Sequence, residues 1–152
     1  MSRPPRALPL VRALAPAAAL ACLALPFHAL AGTHPSPAHM TGFEVLAAAP
    51  TGTPAPGPVA VAALVVCASA LGLAGLWRPS VLVVLAGLLS TVSATALLVH
   101  HQSALKALSP GPDLAGYWLA VSLLVMAVLA SLAELLYTDV GEDLGGSDDL
   151  RD

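Results

Sequence analysis

Three apolar runs, at roughly 58–77, 80–99 and 115–137, dominate the chain. Each is long enough to carry an α-helix across about 30 Å of hydrocarbon at about 1.5 Å per residue. Glu134 is the one charge inside them, a turn from the end of its run. The rest of the composition agrees, with 57% hydrophobic and 10% charged residues where a soluble domain carries about 25% charged. An ordinary soluble globule is therefore excluded. Six Lys and Arg stand against nine Asp and Glu, for a net charge of −3. With no basic stripe to neutralise a row of phosphates, nucleic acid is excluded as a partner.

A further apolar stretch, Ala13 to about Ala31, follows Arg3, Arg6 and Arg12 and reads in two ways. As a secretory signal it has a basic start, an apolar region, a breaker at Pro26 and Ala29-Leu30-Ala31 as a small-x-small cleavage site. As a retained helix at about 11–31 it completes a bundle of four. The fold class expected is all-α, a polytopic membrane protein of four transmembrane helices at about 11–31, 58–77, 80–101 and 115–137, or of three if residues 1–31 are cleaved.

The basic residues orient the chain. Arg3, Arg6 and Arg12 flank the first segment, and Arg78 sits in the tight turn after the second; both regions belong in the cytoplasm, since short cytoplasmic loops carry the excess of Lys and Arg. The expected localisation is the cell membrane, the inner membrane of a bacterium, with multiple passes and both termini cytoplasmic. Trp77 and Tyr137 then fall at inner ends and Tyr117 and Trp118 at an outer end, where amphipathic rings concentrate.

The outer loop 32–57 is rich in Pro, Gly and Thr, but Thr41-Gly42-Phe43-Glu44 within it has the spacing of a capping box. The Thr hydroxyl accepts from the Glu amide and the Glu carboxylate reaches back to the Thr amide. A short helix over about 42–49 is expected, with Met40 and Val45 as a hydrophobic staple. The helical pattern of the third run continues through His100, His101 and Lys106 to Leu108, where Ser109-Pro110-Gly111-Pro112 ends it and Asp113 is placed to cap the last helix. Residues 139–152, with six acids against Arg151, read as a disordered cytoplasmic tail.

All five histidines, His28, His34, His39, His100 and His101, map to the outer side. Imidazoles from two loops and helix ends suit zinc, copper or haem, and His34, His39, His100 and His101 form the candidate metal set. Against this, adjacent residues on a helix point about 100° apart. Glu134, an ionisable group within a span, is a functional candidate by default, either for a small transporter or in an ion pair with Arg78. Cys22 and Cys67 read as small apolar packing residues. Small residues recur at four-residue spacing in Ala68 to Gly72 and Gly87 to Thr91 to Thr95, which lets helices approach closely within one chain or between two copies. No P-loop, GxSxG, GxGxxG or CxxC occurs.

The Thr41-Gly42-Phe43-Glu44 stretch and the Gly116-Tyr117-Trp118 start of the last helix resemble those of small four-helix integral membrane proteins of bacteria, whose activity is uncharacterised. The resemblance implies the four-helix fold and no particular chemistry. The expected role is a non-enzymatic accessory or scaffold subunit without a resident cofactor, in contact with the lipid bilayer and with another membrane protein or a second copy. The alternatives are an extracytoplasmic metal or haem site on the histidines, and a small transporter using Glu134.

Overall fold

The structure, a computed structural model, describes residues 7–29, 39–47, 58–77, 80–108 and 110–145, with side chains described as far as Tyr137. In chain order the elements are α1 (Ala7–Cys22), β1 (Pro26–Ala29), β2 (His39–Thr41), α2 (Gly42–Ala47), α3 (Pro58–Trp77), α4 (Val81–Leu108) and α5 (Ala115–Gly145). Three helices, Val59–Trp77, Val81–Leu108 and Ala115–Tyr137, are long and apolar enough to cross a membrane; α1 is apolar but shorter. Helix α1 packs between α3 and α5, and α4 packs against the same two from the other side.

The first segment departs from the expected helix at 11–31. Helix α1 begins earlier, at Ala7, and ends at Cys22. Its last turn tightens through bonds from the Leu23, Ala24 and Leu25 amides to carbonyls three residues back. Pro26 has no N–H to continue the helix and biases Leu25 toward extended backbone, so the chain leaves as strand. The fold is therefore helical with one small sheet rather than all-α. Strand β1 pairs antiparallel with β2, Pro26 opposite Thr41 and Ala29 opposite His39, with an irregularity between Pro26 and His28. The segment before α5 serves the backbone of β1 as well: Leu114 N–H donates to the Phe27 carbonyl at 2.8 Å and Ala29 N–H to that of Pro112 at 3.3 Å.

The sheet, α2 and the loop before α5 close one end of the helices, here called the cap. Phe27, Val45, Leu46, Leu98 and Leu124 are buried there in one apolar cluster, joined by Tyr117. The Tyr117 ring meets Phe27 edge-on at 5.9 Å between centroids. It thus turns into the core, unlike Trp77, Trp118 and Tyr137, which are exposed near helix ends as aromatic belts require. Away from the cap the interior is built from small residues, including Ala13, Ala68, Gly72, Gly75 and Ala127. A Cβ on Gly72 would sit 2.7 Å from the Ala13 Cα, so only glycine lets α1 and α3 approach this closely. The Gly87–Thr91 row is buried within the chain and faces α3, a Gly87 Cβ lying 3.7 Å from the Leu71 Cβ. At these two positions it closes the packing of one chain.

Hydroxyls in the long helices are satisfied locally: Thr91, Thr95 and Ser131 each donate to the carbonyl four residues back at 2.8 to 2.9 Å. Helix α4 runs past 101 to Leu108, as its continuing pattern predicts. Helix α5 runs on to Gly145, so the tail expected to be disordered from 139 is helical through that residue; extending an established helix adds one bond per residue, with no new nucleus to form.

The capping box forms as its spacing predicts. Thr41 N–H donates to Glu44 Oε2 at 2.7 Å, and Glu44 N–H donates to Thr41 Oγ1 at 3.4 Å. Helix α2 is Gly42–Ala47, and residues 48 and 49 of the expected helix lie outside the described residues. The staple residues both reach the core, Val45 fully buried and Met40 packed against the same cluster. The Thr41 backbone amide, and then its hydroxyl, hold the Glu44 carboxyl below its ordinary value of 4.5. A carboxyl lowered in the folded state contributes stability above its unfolded value and loses it as the pH falls through the folded one. Thr41→Ala is expected to weaken α2 by about 1 kcal/mol, read as faster exchange of the Glu44 amide. In the unaltered chain the same protection should be full at neutral pH and fade on acidification below 4.5.

Candidate functional site

Buried polar side chains gather at two places, one in the cap and one near the opposite end of the helices. In the cap, the irregularity in β1 turns both Phe27 and His28 inward, and α4, extending past the apolar core, brings Gln102 alongside. The Gln102 amide nitrogen donates to Asp113 Oδ1 at 2.6 Å and lies 3.4 Å from His28 Nδ1. Lys106, one turn on, pairs with the other Asp113 oxygen. The loop before α5 closes over this group at Gly111, where a Cβ would stand 3.0 Å from His28 Nε2. The chain His28, Gln102, Asp113, Lys106 thus ties β1, α4 and the start of α5 together, from a fully buried imidazole to an ammonium whose side chain is 42% exposed. Asp113 was expected to cap α5; instead its carboxylate goes to α4, and the Leu114 carbonyl takes the first bond of the helix, from Tyr117 N–H.

Of the candidate metal set, His39, His100 and His101 fall among the described residues. His39 is exposed on β2 and His100 is exposed on α4, while the adjacent His101 is buried. The rings of that pair stand 6.1 Å apart with planes at 77°, as neighbours diverging on a helix must. His34 lies outside the described residues. Among the described residues, no group of three or more His, Cys, Asp or Glu is placed to hold a metal ion. Cys22 is buried, Cys67 is exposed, and both are free thiols.

At the other end, Glu134 of α5 meets Arg12 of α1. Arg12 Nη1 lies 2.9 Å from Glu134 Oε2, with the two residues 2% and 5% exposed. Arg12 Nη2 donates to the Gly72 carbonyl of α3 at 3.5 Å, and a Cβ on Gly75 would fall on the guanidinium. The approach of the two charges is an ionic contact without the alignment of a hydrogen bond. Arg78, the partner expected for Glu134, lies outside the described residues. The sequence places Arg12 on the cytoplasmic flank of the first segment, whereas the structure buries it. The signal that marks it as interior is the apolar sequence on both sides, Ala7 to Val11 before it and Ala13 to Ala15 after it.

Neither cluster holds a nucleophile set against a base, and each joins separate elements through complementary polar groups. Comparison with protein-family models, curated proteins and solved structures finds no match.

Gln102 and Lys106 should differ sharply on replacement. Gln102→Leu removes the donor to a buried Asp113 carboxylate oxygen and is expected to cost about 1–3 kcal/mol. Lys106→Ala removes a half-exposed ammonium, for about 0–1 kcal/mol. Thermal unfolding of both variants in one detergent measures the difference.

Proposed function

We propose that the chain is a non-enzymatic integral membrane protein that serves as an accessory or scaffold subunit to another membrane protein. In this reading α1, α3, α4 and α5 form a four-helix bundle in a bacterial inner membrane, with both termini on the cytoplasmic side. One observation carries it. Thr91, Gln102, Arg12 and Glu134 make their polar contacts inside the chain, while large apolar side chains such as Leu82, Leu89, Leu129 and Leu136 face outward along the long helices. Such an exterior suits lipid and the apolar helix of a partner. The exposed Trp77 and Tyr137 at one end and Trp118 at the other support the placement across the bilayer. The basic residues of the amino-terminal segment and Arg78 support the orientation.

A photo-activatable side chain placed in turn at Leu82, Leu89 and Leu129 tests the reading in intact membranes. A discrete protein adduct at one position and lipid adducts at the others are expected. Lipid adducts at all three would count against a subunit role. Untagged protein in mild detergent should be colourless and free of metal. Stoichiometric metal, or a haem absorption band lost on replacing His100 and His101, would replace this reading with the histidine site.

A further inference from the structure

The Arg12–Glu134 contact joins the first helix to the last through a slot in the third. Among the described residues α1 has 16, about 24 Å of helix, less than the hydrocarbon thickness of about 30 Å. It also carries an arginine within its apolar sequence and Pro16, which denies the Arg12 carbonyl its helical donor. On its own it is a poor span. Three independent features receive it. Glu134 supplies the opposite charge, the Gly72 carbonyl accepts from the guanidinium, and Gly75 leaves the volume the guanidinium fills. Along the same helix Ala13 meets Gly72 directly, and Ala19, Cys22 and Leu23 enter the apolar core.

We propose that Arg12 and Glu134 form a latch that holds α1 in the bundle, so that a helix unable to span the bilayer by itself is retained by the last helix through the slot at Gly72 and Gly75. The inference rests on the membrane-embedded reading above. It adds an order of assembly: α1 docks stably only after α5 is in place. The latch is specific for charge and shape together. A lysine would bring the charge without the forked donors that reach both α3 and α5.

The native Cys22, buried on α1, reports docking. In the full-length chain with the exposed Cys67 replaced by serine, maleimide labelling in mild detergent is compared for the parent, R12E, E134R and the R12E/E134R swap. The parent is expected to label slowly, each single reversal about tenfold faster or more, since breaking a buried pair is strongly destabilising, and the swap at a rate between the two, because it restores the opposite charges but not the bond to the Gly72 carbonyl. If the single variants fail to accumulate, recovery of the swap carries the same meaning. Equal labelling of the parent and the single reversals, or a swap as impaired as they are, overturns the latch. An intact mass lacking α1 overturns it too. Alkaline extraction separates the two readings: a chain that resists extraction yet shows no charge rescue fails as a latch alone, whereas a chain released by alkali fails as a membrane protein and takes the latch with it.

Discussion

Polar groups inside an apolar medium must find their partners within the chain, and most of this architecture follows from that requirement. An unpaired peptide group in hydrocarbon costs several kcal/mol, which is why the long segments are helical and why strand β1 is bonded on both edges. Helical hydroxyls turn back to their own carbonyls. Charges are harder to place. An arginine at the centre of a spanning helix costs about 2.5–3.5 kcal/mol on an insertion scale, so Arg12 is accommodated where α5 offers a carboxylate and α3 a carbonyl. A buried ion pair adds little net stability over apolar packing of the same volume, but losing one partner costs about 3–5 kcal/mol. Its effect is therefore on which helices pair and in what register.

The two ends of the helices meet this requirement with different residues. At the cap the chain changes direction several times, leaving irregular space that Phe27, Leu46, Leu98 and Tyr117 fill. The His28, Gln102, Asp113 and Lys106 network crosses the same region and joins segments distant in sequence. At the opposite end the helices run regularly, and small residues draw their backbones together. There the Arg12 guanidinium occupies volume that Gly75 leaves empty. Bulk fills irregular geometry, and its absence admits a charge.

Local patterns were legible in the residues. The spacing of Thr41 and Glu44 is enough to specify a capping box, because both bonds close within one turn. The extent of α4 to Leu108 and the break before α5 follow from a helical pattern that stops at Ser109-Pro110-Gly111-Pro112. Histidine content does not by itself say which rings converge: residues adjacent on a helix diverge, so His100 and His101 face different surroundings although they share an end of the molecule. Asp113 shows the same limit, since a carboxylate before a helix serves equally as a cap or as a partner for another helix. Here α4 supplies the stronger partners.

The sequence by itself determined the three long apolar helices and the capping box of α2, because each depends on the length, periodicity or spacing of neighbouring residues. Only the tertiary structure decided that β1 pairs with β2, that His28 is enclosed while His39 is exposed, and that Glu134 meets Arg12. Faces made largely of alanine and leucine are nearly interchangeable in their packing, so sequence periodicity does not select a neighbour for each helix. The choice falls to a few non-local contacts, a glycine slot, an amide between two polar groups and one pair of opposite charges.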